Sequence, residues 1–80
     1  MARFRLTKQA TKKLKSLTKS DIDIARRIKS AILSLSEGDM SGEPLQGFSD
    51  CFKTRIGKYR LIHTTRDGVV IIAIIEKRET

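Results

Sequence analysis

Eighty residues leave room for one domain with a thin apolar core, the size at which a chain begins to hold together without disulfides or a structural metal. Apolar residues make up 39% of the chain and Lys and Arg outnumber Asp and Glu by 17 to 9, so the +8 surface favours polyanions: nucleic acid or an acidic protein. A lone cysteine excludes an internal disulfide and zinc knuckles or ribbons, and neither a secretion signal nor a membrane-length apolar run is present, so a soluble cytoplasmic protein is expected.

Phe4 and Leu6 alternate with Arg3 and Arg5 ahead of Thr7, the period of a half-buried edge strand with its charges outward. From Lys8 to Leu17, Ala10, Leu14 and Leu17 share one side of a helix while Lys8, Lys12, Lys15 and Lys19 lie elsewhere, giving a short, amphipathic, basic helix. Ser20 with Asp23 three positions on reads as the cap of a second helix, over 21–36, in which Ile24, Ile28, Ala31, Ile32 and Leu35 recur at helical spacing. Gly38 stands where a helix end favours a left-handed residue. The stretch to Phe48, holding Gly42, Pro44 and Gly47, then reads as a loop anchored in the core by Leu45.

Three strands are expected next, over 51–56, 59–65 and 69–76, with Cys51 as a small buried packing residue. The separators Gly57-Lys58 and Asp67-Gly68 both suit two-residue hairpin turns. The last strand is apolar on both faces, as a central strand is, whereas its neighbours alternate and can leave one face wet. The fold class is therefore α+β in the order βααβββ: two N-terminal helices packed on one face of a small, mainly antiparallel four-stranded sheet, forming one domain over 1–80.

The densest chemical signal runs from Lys53 to Arg60. Strand alternation puts Phe52, Thr54 and Ile56 toward the helices and Lys53 and Arg55 away from them. A two-residue Gly57-Lys58 turn pairs Ile56 with Tyr59 and sets Arg55 directly opposite Arg60, so three cations share one sheet face. Like charges placed opposite each other cost roughly 0.2–1 kcal/mol per pair, which an anion would relieve; this is the case for a phosphate site. The alternative is an exposed hairpin whose long cations reach into solvent at little cost.

Other chemistries fit the inventory poorly. His63 is the only histidine and shares parity with Tyr59 and Leu61, which excludes a two-histidine ribonuclease and gives it a packing or rim role. Glu37, Asp39 and Glu43 match no calcium-loop spacing, no glycine-rich phosphate loop precedes a helix, and the serines and the cysteine lack a base and an orienting partner. What remains for an enzyme is RNA transesterification, in which the 2′-hydroxyl is the internal nucleophile and clustered cations stabilise phosphorane charge without metal. Lys53 is the member of the cluster able to give up its proton and accept another, since arginine stays charged at any ordinary pH.

The pattern Leu45-x-Gly47, Asp50-Cys51-Phe52-Lys53-Thr54-Arg55, Tyr59-Arg60-Leu61-Ile62, an apolar strand and then Lys77-Arg78-Glu79 resembles the RelE/ParE toxin superfamily over nearly the whole chain. Within it the chain is most similar to the RelE branch. That resemblance implies the toxin of a type II toxin–antitoxin system: a cytoplasmic, metal-independent endoribonuclease (mRNA interferase) that cuts messenger RNA in the ribosomal A site, needs no cofactor and is held by a separately encoded acidic antitoxin. Lys53 and Arg55 match the two basic residues of the RelE second strand, the compared relative having lysine at the second place. Arg60 matches the arginine that holds the scissile phosphate, and Arg78 the C-terminal arginine that stabilises the transition state or leaving group. Lys58, Lys77, Lys12 and Lys13 are expected to contact RNA, Lys58 without a family counterpart.

Two departures accompany the resemblance. Parity across the Asp67-Gly68 turn pairs Arg60 with Ile75 and turns Lys77, not Arg78, toward the cations, which a bulge or frayed strand end would reconcile. RelE relatives also continue to a catalytic tyrosine, whereas this sequence ends at Thr80, so reduced rather than absent turnover is expected. The competing function is that of the ParE branch, a gyrase poison that cuts nothing on the same scaffold. A plain nucleic-acid-binding module lacks a recognition helix or a stacking aromatic pair here.

Overall fold

A computed structural model describes residues 3–39 and 42–78. The elements follow in the order β1 (Phe4–Leu6), α1 (Lys8–Ser20), α2 (Ile22–Ser36), β2 (Glu43–Pro44), β3 (Phe52–Ile56), β4 (Tyr59–Arg66) and β5 (Val69–Lys77). The sheet order is β1-β5-β4-β3-β2, with β1 parallel to β5 and the other pairs antiparallel. The expected α+β architecture is present, with β5 an interior strand between β1 and β4, as its two apolar faces require. The difference is one added strand: Glu43–Pro44, expected as loop, pairs with Lys53 and Phe52 at the sheet edge, where a proline is tolerated.

The helices start on side-chain caps. Thr7 Oγ1 accepts from the Ala10 N–H at 3.3 Å, and Asp21 accepts from the Ile24 N–H at 3.3 Å. The cap of α2 is thus Asp21 and not Ser20, which ends α1 and donates its hydroxyl to the Ser16 carbonyl at 3.1 Å. Asp21 also closes α1, its N–H reaching the Leu17 carbonyl at 2.7 Å, so one residue serves two helices and fixes the corner between them. Gly38 takes φ +104° just past α2, the left-handed position read from the sequence.

Both helices cover one sheet face. Ala10 and Leu17 of α1 and Ile24, Ala25, Ile28, Ile32 and Leu35 of α2 pack on Ile56, Leu61, Val70, Ile72 and Ile75. Burying each large aliphatic side chain contributes about 1.5–3 kcal/mol, which sets this layer as the main source of stability. Leu45 and Cys51 stand outside that cluster and are only half-buried. They belong to a surface turn along the sheet edge, closed by the Leu45 N–H donating to the Cys51 carbonyl at 2.8 Å, rather than to the core.

Two hairpins fix the register of the C-terminal strands. Ile56 pairs with Tyr59 across Gly57-Lys58, where Gly57 supplies the positive φ of +56°. Arg66 pairs with Val69 across Asp67 and Gly68, both left-handed at φ +52° and +76°, as a type I′ turn requires. Between Ile62 and His63 the β4–β5 register slips: His63 pairs with Ile72 and Ile62 with Ile74, leaving Ala73 as the extra residue of a bulge. An unbroken ladder would turn Glu76 toward the helices and Ile75 outward. The bulge instead buries Ile75 completely and keeps the carboxylate off the core, which is much the cheaper arrangement.

Candidate functional site

The sheet face opposite the helices carries the cations. Lys53 and Arg55 of β3 alternate with the helix-facing Phe52, Thr54 and Ile56, and across the ladder Lys53 meets Ile62 while Arg55 meets Arg60. Lys53, Arg55 and Arg60 therefore share one face, as the alternation predicts. Buried Ile62 and more exposed Ile74, direct partners on β4 and β5, form an apolar floor beside them.

Past the bulge, Arg60 faces Glu76 and not Ile75, and its Nε–H donates to Glu76 Oε1 at 2.6 Å. The repulsion between Arg55 and Arg60 is thus relieved from inside the molecule. Glu43 enters the same face from the other side, as the Cα partner of Lys53. A carboxylate thus stands at each margin of the cations: Glu43 beside Lys53, then Arg55 and Arg60, and Glu76 beyond Arg60. Neither carboxylate is in the sequence-derived cluster. Glu76 could have been found from the spacing of Ile72 and Ile75, which only a bulge brings to one face, and Glu43 from Pro44, a residue that sheets confine to edges.

The slip also decides the two cations at the C-terminal end. Lys77 is paired with Tyr59 and lies on the helix side, so its expected place among the cations is corrected; the parity count that put it there assumed an unbroken ladder. Arg78 continues the ladder one step further: its N–H donates to the Lys58 carbonyl at 2.6 Å, and its Nη1 reaches the Gly57 carbonyl at 3.3 Å. Arg78 therefore sits at the β3–β4 turn with Lys58, next to Arg60 along the face. The neighbouring Glu79 lies outside the described residues. Lys12 and Lys13 are on α1, where Lys13 Nζ stands 5.8 Å from the centre of the Tyr59 ring. With Lys77 they form a second basic area on the helix side, separate from Lys53, Arg55 and Arg60.

His63 occupies the interior of the hairpin on the helix side. It is 6% exposed, stacks on Phe52 with ring centres 6.2 Å apart, and lies 2.9 Å from Thr54 Oγ1 through Nε2. Burial holds its imidazole below the ordinary value, so it is neutral at neutral pH, a packing residue as its parity indicates.

Chemically, the outer face offers cations for a phosphodiester, two carboxylates that limit its net charge, and an apolar floor able to take a base or an aliphatic group.

The family model described as "ParE toxin of type II toxin-antitoxin system, parDE" matches residues 4–80. The fold is similar to that of YoeB from Staphylococcus aureus, solved as a dimer (TM-score 0.82, 20% identity, 98% of each chain covered). It is also similar to the isolated RelE toxin of Escherichia coli, with TM-score 0.80, 21% identity and coverage of 100% of this chain and 87% of that one. The RelBE2 toxin–antitoxin complex of Mycobacterium tuberculosis matches at TM-score 0.61 and 28% identity, over 96% of this chain and 91% of that one. No curated protein sequence matches the chain.

Proposed function

Because the chain belongs to the ParE toxin family of type II toxin–antitoxin systems, we propose that it acts as RelE does by resemblance: an endoribonuclease that cuts messenger RNA on the ribosome without a metal. The observation that carries this reading is the gathering of Lys53, Arg55 and Arg60 on one sheet face, with Arg78 at the adjoining turn. On this reading Arg60 binds the scissile phosphate and Lys53 is the residue placed to take the proton of the 2′-hydroxyl. The 2′-oxygen attacks phosphorus and the bond to the 5′-oxygen breaks. Arg55 and Arg78 spread the phosphorane and leaving-group charge. Glu43, across from Lys53, is a second group placed to accept the proton. The departing 5′-oxygen takes a proton from water, so the products are a 2′,3′-cyclic phosphate and a 5′-hydroxyl.

The partner proposed on the same grounds is an acidic antitoxin that neutralises the +8 chain. RelE and YoeB neighbours were themselves solved as toxin–antitoxin complexes.

The ParE-type alternative, a gyrase inhibitor that cleaves nothing, draws support from the name of the matching family and from the engagement of Arg60 by Glu76. One experiment separates the two: add wild-type and Arg60→Ala protein to programmed ribosomes, map the 5′ ends of the message, and assay gyrase supercoiling in parallel. Message cleavage abolished by Arg60→Ala supports the ribonuclease. Supercoiling inhibition with intact message overturns it.

A further inference from the structure

Arg60 has a guanidinium with two edges that can hold an anion, and Glu76 occupies only one nitrogen of it. The Glu76 carboxylate accepts from Nε at 2.6 Å, and both side chains are near two-fifths exposed, at 40% and 38%, so the pair lies open on the cationic face. It is formed across the ladder: Arg60 and Glu76 are direct Cα partners on β4 and β5, while Arg55 flanks Arg60 on the other side. An arginine between a like charge and an opposite charge is drawn toward the carboxylate. Held by Nε, its Nη1–Nη2 edge is left for a planar, two-pronged contact with a phosphate.

We propose that Glu76 is a positioning residue, which holds Arg60 through Nε against the repulsion of Arg55 and so presents the Nη1–Nη2 edge to one phosphodiester of RNA. This rests on the ribonuclease reading for its substrate, but the geometry concerns anion binding and is testable without turnover. Glu76 costs attraction, because a carboxylate on the binding face repels the RNA backbone. It supplies direction in exchange. The two effects separate by experiment, since removing the charge strengthens general attraction while releasing the guanidinium to adopt other rotamers.

The test compares wild type, Glu76→Gln, Glu76→Asp and Arg60→Lys. With a short 2′-O-methyl RNA, which cannot be cut, Glu76→Gln is expected to bind about threefold tighter at low salt, the effect fading as salt rises. On programmed ribosomes the same variant is expected to cleave roughly tenfold more slowly at saturation, Glu76→Asp to recover part of the loss, and Arg60→Lys to recover none, an ammonium having no second edge. Tighter binding together with faster cleavage by Glu76→Gln would overturn the proposal, making Glu76 a mere competitor of the substrate. So would cleavage unchanged by Glu76→Gln.

The Arg60 Nε–H resonance, assigned by its loss in Arg60→Lys, gives a readout independent of activity. On titration with inorganic phosphate it should keep its Glu76-bonded position in wild type while the Nη signals shift. Movement of the Nε signal to the free-arginine position overturns the proposal. If wild type cuts no message while the Nε signal holds as expected, the ribonuclease reading falls and the Arg60–Glu76 assignment stands.

Discussion

Thr54 Oγ1 lies 2.9 Å from His63 Nε2 on the helix side of the β3–β4 hairpin, back to back with Lys53 and Arg55. The polar pair is enclosed by Gly42, where a Cβ would stand 3.1 Å from His63 Nε2 and 3.2 Å from Thr54 Oγ1. The strand that carries the cations is therefore held from behind by a neutral imidazole, and its protonation should be felt as a loss of stability.

Burial lowers the folded-state value of His63 below its ordinary 6.5, so the unfolded chain binds the proton more readily. Stability is then full above about pH 6.5 and declines as the pH falls below it, levelling off once the folded state too is protonated. Urea midpoints between pH 7.5 and 5 should show this slope in wild type. In His63→Gln the slope should be flatter; an equal slope would exclude His63 as its source.

Arg55 opposite Arg60 is an unfavourable cross-strand pair that Glu76 relieves only on the Arg60 side. Arg55→Thr, with a residue at home in strands, is expected to raise stability by about 0.2–1 kcal/mol. The same change should weaken RNA binding and reduce the log–log salt slope by about 1. Thermal denaturation and salt titration on one sample check both halves.

Gln9 of α1 closes the edge of β5 beyond the end of β1: its Nε2 donates to the Ile75 carbonyl at 3.0 Å, and its Oε1 accepts from the Ile75 N–H at 3.0 Å. Gln9→Ala leaves both part-buried backbone groups without that partner and should cost about 1–3 kcal/mol. Because Glu76 is the next residue, cleavage should fall further than the stability loss alone explains, measured at a temperature where the variant is fully folded.

Gly57 turns the cationic hairpin at φ +56°, and a Cβ there would come 3.1 Å from Ile24 Cδ1. Gly57→Ala combines left-handed strain with a shifted core side chain and is expected to cost about 1–3 kcal/mol in denaturant titration.

Lys13 and Lys77 lie on the helix side with Tyr59, away from Lys53. Alanine at either should leave ribosomal cleavage within about threefold of wild type, whereas Lys53→Ala should lower it by about a hundredfold or more. Equal losses at Lys77 and Lys53 would place the RNA across both faces.

Much of this arrangement was legible in the residues. Helical spacing marked both helices, and the Gly57-Lys58 turn fixed the Arg55–Arg60 pairing, because a two-residue hairpin admits one register. The Asp67-Gly68 turn fixed only the first half of the last ladder. Val69 to Ile75 is apolar throughout, so alternation carries no parity signal there and the slip at Ala73 leaves no trace except the three-residue spacing of Ile72 and Ile75. Arg60–Glu76 and the displacement of Lys77 both follow from that slip. The α2 cap was misplaced by one residue because Ser20 and Asp21 are both capping types, and only the path of the corner decides between them.

The bulge at Ala73 acts as a phase shifter for the end of the chain. Had β5 run without it, the same amino acids would set Ile75 opposite Arg60, turn the Glu76 carboxylate toward the helices and bring Lys77 outward beyond Ile75, so Arg60 would have no acidic neighbour on that side. Electrostatic character on this side is thus written by strand phase as much as by composition. Relatives with identical charge counts but no extra residue at this point would present nucleic acid with a different potential.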